Sequence, residues 1–414
     1  MRAEIITIGD ELLIGQVVNT NQAFIAERLN AAGVRIERMT TVGDDRKAIL
    51  KAFQSAWETA DIVIVTGGLG PTHDDITKNA LCEFFHVGLV PSPEVRNHIE
   101  SLLATRNIQW SAAAEGQTLV PEQCRVLENP VGTAPGLLHE SHGKLFAVLP
   151  GVPHEMRAIV EGSLVRLVKA RTGGTVIRHK TLCATGIGES LIASRLGNID
   201  AITGGASLAF LPSPFGVRLR ISIEAQDQES ADTAVTQVEE RIRAKVGKYI
   251  YGVDDEHLEE VVGKILKERS LTIAVAESCT GGLIADRLTN ISGSSVYFER
   301  GLITYSNRSK IEMLGVPGEM LSRYGAVSRE VSEAMAAGVR HMAGTDLGLS
   351  TTGIAGPTGG SPEKPVGLVW IGIADRSGTL AMKFTFGSGR MLVKQRASQA
   401  ALELVRRRVM RIEG

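Results

Sequence analysis

A chain of 414 residues has the length for two or three domains with full cores. Its balance of 22% charged and 43% hydrophobic residues is that of an ordinary soluble globular protein. A formal net charge of -1 excludes overall electrostatic attraction to nucleic acid or to a membrane surface.

Cys82, Cys124, Cys183 and Cys279 are scattered and fit no zinc or redox spacing, and no histidine pair has metalloprotease spacing. With no long apolar run and Met1-Arg2-Ala3 leading straight into a strand, the chain reads as cytoplasmic, with no membrane partner.

The first block alternates strands and helices. Ile5-Ile6-Thr7-Ile8 is a short buried strand ended by Gly9-Asp10-Glu11, and Asn21 caps a helix through Leu29 that Gly33 stops. A strand then runs to about Val42, and Asp44 or Asp45 caps a helix carrying Ile49, Leu50 and Phe53. Asp61-Ile62-Val63-Ile64-Val65 and Leu145-Phe146-Ala147-Val148-Leu149 are nearly continuous apolar strands, as expected when helices cover both faces. This rhythm predicts an open, mainly parallel sheet whose ligands gather beyond the strand C-termini.

After Val65 comes Thr66-Gly67-Gly68-Leu69-Gly70-Pro71-Thr72-His73-Asp74-Asp75. Three glycines let the backbone approach a ligand and aim N–H groups at phosphate oxygens. Asp74 and Asp75 at a helix start favour its dipole, so capping alone is one reading. Beside a phosphate loop, carboxylates repel the substrate unless a divalent cation lies between them, which is the other. Asp10, Glu11, Asp44 and Glu155 stand at further strand ends, so a magnesium or manganese site for phosphoryl chemistry is expected on that rim.

Between about 166 and 252, Val217, Leu219, Ile221 and Ile223 alternate with Arg218, Arg220, Ser222 and Glu224, a strand with one wet face. Helical patterns at Glu189 to Leu196 and Glu229 to Lys245 complete a small α+β module. The third block begins with a helix around Leu258 to Arg269 and returns to α/β alternation.

There the strand Leu271 to Ala276 feeds Glu277-Ser278-Cys279-Thr280-Gly281-Gly282 and then a helical pattern with Leu283, Ile284 and Leu288 inward and Asp286 and Arg287 outward. A glycine turn at a helix N-terminus binds anions and can present a serine nucleophile; Ser278 or Thr280 acting only as an N-cap is the plain alternative. Cys279 is a rival nucleophile, because a helix N-terminus lowers a thiol pKa. Ser306 or Asn307 caps a short helix that places Lys310 one turn in, behind Tyr305, so a buried Lys310 can deprotonate Ser278. Thr352 with Gly353 to Gly356, the Gly325 to Ser328 turn, and Arg390 after Gly387-Ser388-Gly389 fit the same pocket. Arg406-Arg407-Arg408 and Arg411 read as a solvated face opposite Leu402, Val405 and Val409.

Gly9-Asp10-Glu11, the Thr66 to Thr72 loop, Asp74-Asp75, Gly132-Thr133-Ala134-Pro135-Gly136 and Leu149 to Met156 resemble the motifs of the CinA family. Glu277 to Gly282 and Thr352-Gly353-Ile354-Ala355-Gly356-Pro357 resemble its C-terminal, PncC-type domain. The resemblance implies three parts. These are a MoaB/MogA-like, mainly parallel α/β domain over 1–165, a small KH-type α+β domain over 166–252, and an α/β nicotinamide mononucleotide deamidase domain over 253–414. It implies metal-dependent hydrolysis of ADP-ribose to AMP and ribose 5-phosphate by the first and deamidation of nicotinamide mononucleotide by the last.

Carried over, Asp10, Glu11, Asp44, Asp74 and Glu155 hold a divalent metal (Mg, Mn or Co, optionally with K), Asp75 handles water, and Thr66, Gly67, Gly68, Gly70 and Thr72 hold the pyrophosphate. Ser278 is the nucleophile and Lys310, with Tyr305, the base. The N–H groups around Thr280-Gly281 serve the oxyanion. Thr280, Gly281, Gly282, Thr352, Gly353, Ala355 and Arg390 contact the nucleotide, with no cofactor. Thr185-Gly186-Ile187-Gly188 departs from the GxxG loop with which KH folds clamp nucleic acid, so the middle module reads as a spacer or dimerisation element. A homodimer without direct nucleic-acid contact is expected. A molybdopterin-like binding module at the N-terminus, or a competence-linked interaction protein, are the alternatives.

Overall fold

The computed structural model describes residues 1–70 and 75–412. The chain divides into two compact units, Met1–Arg178 with Ile223–Ala234, and His179–Ser222 with the residues from Val235 onward.

In the first unit six strands form one sheet in the order Arg35–Val42, Arg2–Ile8, Ile62–Thr66, Lys144–Leu149, Gly136–Ser141, Cys124–Leu127. The first four are mutually parallel and the last two extend the sheet antiparallel. Ile62–Thr66 is buried at every residue because apolar clusters cover both faces, one built on Ile25, Leu29 and Ile159, the other on Ile49, Phe53 and Phe146. Phe53 and Phe146 meet edge to face with ring centres 4.9 Å apart, a geometry that adds about 1 kcal/mol to plain burial. Asp45 caps Arg46–Thr59 by accepting the Ala48 N–H at 2.8 Å.

The first helix differs from expectation: Thr20–Ala31 is capped by Asn19, not Asn21. The Asn21 side chain is buried and donates to Thr66 Oγ1 at 3.3 Å and to the Gly151 carbonyl at 2.8 Å. The four parallel strands end at one edge, so the turns after Ile8, Val42, Thr66 and Leu149 converge there.

In the middle of the chain a four-stranded sheet has the order Ser207–Ser213, Gly216–Ala225, Val176–Ala184, Ile250–Val253. Val217, Leu219 and Ile221 are buried and Arg218 and Arg220 exposed, as the alternation requires.

Beyond it a five-stranded sheet runs Phe298–Ile303, Ile273–Glu277, Leu347–Gly353, Leu368–Asp375, Gly378–Thr385, the first three parallel and the rest antiparallel. Helices Leu258–Glu268, Leu283–Thr289 and Arg390–Met410 pack on one face, and Arg329–Ala343 on the other. Two arginine expectations fail here. Arg287 is buried and bonds Glu259 at 2.6 Å, Gln399 at 2.7 Å and Ser398 at 2.9 Å. Arg406 is also buried, held by both Glu403 oxygens and the Lys248 carbonyl, so the arginine run is not a uniformly solvated face. Among the described residues no helix is long and apolar enough to cross a membrane.

Candidate active sites

Ser278 follows the last residue of Ile273–Glu277, the middle one of the three parallel strands, and its N–H donates to the Thr351 carbonyl of the neighbouring strand at 3.0 Å. Ser306 caps Asn307–Leu314 by accepting the Ser309 N–H at 3.0 Å, which sets Lys310 in the first turn and turns it inward. Lys310 is 1% exposed, and its Nζ lies 3.1 Å from Ser278 Oγ, 2.8 Å from the Thr304 carbonyl and 3.3 Å from the Tyr305 carbonyl. Burial holds the amine below its ordinary pKa, and among the described residues no carboxylate pairs with it. Ser278 keeps 8% of its surface open. The pair therefore has hydrogen-bond contact and an amine of lowered pKa beside a hydroxyl, the arrangement that an activated serine requires.

Cys279 is not a competing nucleophile. It is packed in the apolar cluster, and burial pushes its thiol up to about 12, overriding any pull from the helix terminus.

The anion-binding expectation for the following helix is corrected by Glu277. Its carboxylate, 1% exposed, accepts the N–H groups of Gly282 at 3.0 Å, Ile284 at 3.2 Å and Ala285 at 2.8 Å. The terminus of Leu283–Thr289 is thus already occupied by an acid from the strand. Gly281 donates its N–H to the Ser278 carbonyl at 3.2 Å, and Thr280 is fully buried with its hydroxyl 2.7 Å from that of Thr351. The Gly281 N–H, the Thr280 hydroxyl and the Gly282 N–H are thus each engaged within the fold. Glu277→Ala strands three donors in the core and should cost about 2–4 kcal/mol, visible as a lowered thermal midpoint.

Other expected contacts are redistributed. Tyr305 is 58% exposed and its phenol oxygen accepts from Arg390 Nη2 at 2.7 Å; its contact with Lys310 is through its carbonyl, so of the two candidate bases it is Lys310 whose side chain meets Ser278. Thr352 is buried with its hydroxyl donated to the Ala326 carbonyl at 2.8 Å, and Ala355 belongs to the apolar cluster. Gly353 is half-buried at the strand end. Arg390 opens the helix Arg390–Met410 and also donates to the Gly356 carbonyl at 3.0 Å.

Lys394, one turn further on, was not anticipated. A Cβ built on Gly281 would lie 3.5 Å from its Nζ, and among the described residues it pairs with no carboxylate. The four-residue spacing from Arg390, which puts both cations on one helix face, was the available signal.

In the first unit the converging turns enclose a pocket of about 440 Å³ lined by Glu11, Asp44, Asp75 and Glu155 together with Gly67, Gly68 and Gly70. Among the described residues no lysine, arginine or histidine lines it. Gly70 and Gly132 let two carboxylates come close to the backbone: a Cβ on either would displace the carboxylate of Asp75 or Glu155 respectively. Asn129, missed in the sequence, is buried and donates to Glu155 Oε2 at 2.7 Å and to the Ala134 carbonyl at 2.8 Å, while accepting the Gly132 N–H at 3.1 Å. The Glu128-Asn129-Pro130 turn just before the glycine motif was its only sequence trace.

Asp10 is not a lining residue. Its carboxylate accepts the Asp44 N–H at 3.2 Å while that of Asp44 accepts the Asp10 N–H at 3.1 Å, a clasp between two strand ends. Thr66 is also withdrawn: fully buried, it donates to the Pro150 carbonyl at 2.8 Å and braces that turn instead of a pyrophosphate. Gly67 donates its N–H to the Leu149 carbonyl at 3.1 Å. Thr72 and Asp74 lie outside the described residues.

Among the described residues no three acidic, histidine or cysteine side chains gather tightly enough to cage a metal by themselves. A rim of four carboxylates, with no basic side chain among the described lining residues, nevertheless suits a hydrated ion such as Mg²⁺, which keeps several waters and completes its shell with one or two carboxylates and substrate phosphates. Gln117 Oε1 and Thr77 Oγ1, buried beside this loop without a described partner, are further polar atoms that such a ligand and its waters can satisfy.

Three family models match the chain: the CinA C-terminal domain over 255–409, a "Probable molybdopterin binding domain" over 4–170, and the damage-inducible protein CinA KH domain over 179–252. A CinA-like protein of Salinibacter ruber is 46% identical, covering 98% of this chain and 99% of its own. One of Chloroherpeton thalassium is 45% identical over the same shares. A solved structure of the competence/damage inducible protein CihA from Agrobacterium tumefaciens is 42% identical, covering 36% of this chain and 91% of that one with a TM-score of 0.35. Aligned with such relatives from end to end, this chain belongs to the CinA family and carries its molybdopterin-binding-type, KH and C-terminal domains in that order.

Proposed function

We propose that the C-terminal domain deamidates nicotinamide mononucleotide, with Ser278 as nucleophile and Lys310 as general base. The observation that carries this reading is the buried Lys310 amine 3.1 Å from Ser278 Oγ. A neutral amine has two N–H groups and one lone pair. The Thr304 and Tyr305 carbonyls accept the two hydrogens, which leaves the lone pair for the serine proton.

Lys310 takes that proton as Ser278 Oγ attacks the carboxamide carbon. It returns the proton to the leaving nitrogen, so ammonia departs and an ester remains on Ser278. Water, deprotonated by the same amine, then hydrolyses the ester to nicotinate mononucleotide and frees the serine. Arg390 and Lys394 supply the positive charge suited to the nucleotide phosphate. The test is purified protein with nicotinamide mononucleotide, following ammonia with and without chelator. Ammonia release indifferent to EDTA is the expected result, and no release from a folded protein would refute the reading.

For the N-terminal domain the proposed reaction is ADP-ribose hydrolysis to AMP and ribose 5-phosphate. The four carboxylates gathered with the glycine loop on one pocket are what support it. Glu11, Asp44, Asp75 and Glu155 would hold the divalent ion, which when bound supplies charge neutralisation and an acidic water. Asn129 fixes the rotamer of Glu155, and the glycine loop admits the diphosphate to the carboxylate rim. Asp75→Ala should lower AMP release by about 100-fold or more and leave ammonia release unchanged. Loss of both activities would contradict two separate sites.

A further inference from the structure

The C-terminal helix Arg390–Met410 is about 30 Å long, at 1.5 Å per residue, and its far end reaches a second cavity. This cavity measures about 850 Å³, within the range of small-molecule sites, and shares no lining residue with the serine–lysine centre described above. It lies where the parallel strands begin: Leu271 and Leu347 line it, whereas Ser278 follows a strand's last residue. Arg269, Arg340, Arg376, Arg407, Arg408 and Arg411 face two aspartates, Asp346 and Asp375.

The aspartates are already committed. Asp375 takes a two-pronged bond from Arg408, at 2.7 and 2.8 Å, which holds its carboxyl below the usual range. Asp346 accepts the N–H and hydroxyl of Thr272, both at 2.9 Å. Arg269 and Arg340 each show one nitrogen on a carbonyl, those of Val409 and Asp346, leaving other guanidinium donors. Arg376 and Arg411 are exposed, and among the described residues neither pairs with a carboxylate.

Arg411 also holds φ at 56°, the left-handed helix cap where glycine is the unstrained choice. Concave surfaces lined by one sign of charge concentrate oppositely charged ligands, and guanidinium forks match phosphate geometry. Beside the arginines, Leu271, Leu380 and Leu404 give the cavity an apolar wall.

We propose that this cavity is a second, non-catalytic site for a nucleoside polyphosphate, its phosphates on Arg376, Arg411 and the open edge of Arg340, its base against Leu271, Leu380 and Leu404. The site is independent of the deamidase reading, because its readout is binding and not ammonia release.

The test uses the full chain with 8-azido-ATP photolabelling and peptide mapping, and equilibrium binding of ATP at low and high salt. Label is expected in peptides from 376–382 or 404–412. R376E/R411E, altered only at exposed positions, should weaken ATP binding at least tenfold with an unchanged thermal midpoint. The charge-matched K245E/K264E, also exposed but outside the cavity, should bind as the wild type does. Label confined to other peptides, or unaltered affinity in R376E/R411E, would overturn the proposal. So would inorganic triphosphate binding as tightly as ATP, since that marks a plain anion surface with no place for the base.

Discussion

Ser278→Ala is expected to lower ammonia release from nicotinamide mononucleotide by at least about a thousandfold, because no other group can form the ester. Cys279 is the adjacent residue that might be thought to substitute, and it cannot. Its thiol is buried in the apolar cluster with its pKa pushed up to about 12, so at neutral pH it is neither ionised nor within reach of a ligand. Cys279→Ala should therefore retain most of the activity, at a modest stability cost of about 1 kcal/mol for the lost sulfur. Ser278→Cys gives a sharper comparison. A thiol placed beside the Lys310 amine enters a different environment from that of Cys279, and covalent labelling mapped to the 278–279 peptide should appear only in that variant, above the background from the half-buried Cys82 and Cys124 common to all of them. The whole pattern is read in one assay of ammonia, with AMP release from ADP-ribose as the control for the other domain. If Cys279→Ala and Ser278→Ala lost equal activity, the serine would have no special place in the reaction.

The features that the sequence made legible are those fixed by local backbone rules. Ser306 before a helical pattern implied a cap, the cap set Lys310 in the first turn, and the strand–turn pattern put Ser278 beyond a strand end. In the same way the parallel strands predicted a common rim, and Glu11, Asp44, Asp75 and Glu155 do line one pocket there.

What could not be read was the direction of individual side chains. Thr66, Thr280 and Thr352 stand beside glycines and look like ligand hydroxyls, yet each is spent on a partner from a different segment: Pro150, Thr351 and Ala326. Those partners are 84, 71 and 26 residues away, so no local spacing foretells them. Glu277 shows the converse. As the last residue of a strand it reads as an ordinary acid, but the two-glycine turn brings the next helix back over it, and three N–H groups converge on its carboxylate. Arg287 and Arg406 occupy positions that read as wet by helical spacing, and their burial follows from tertiary partners, Glu259 and Glu403, that satisfy them.

The second large effect belongs to Lys310, and pH decides its role. A general base works as the neutral amine, so protonation switches it off and the rate must rise with pH through the lysine pKa. Burial places that pKa below the ordinary 10.5, which moves the rising limb down from the range of an exposed lysine. Lys310→Met removes the base and should cost about 100- to 10,000-fold in ammonia release. Because the methionine stem fills the same buried channel without a charge to desolvate, the thermal midpoint should stay within a few degrees. Lys310→Arg separates two roles that the geometry alone leaves together. A guanidinium stays protonated at every working pH, so it can attract a negative tetrahedral centre but cannot accept the serine proton. If Lys310 is the base, the arginine variant is as inactive as the methionine one and has no rising limb. If the residue served only as a fixed positive charge, the arginine variant would keep much of the activity, and the wild-type rate would fall with rising pH as the ammonium lost its proton. The slope of the pH–rate profile in the wild type and the activity of the arginine variant must therefore agree, and an activity that declines above neutrality would remove Lys310 from the proton transfer altogether.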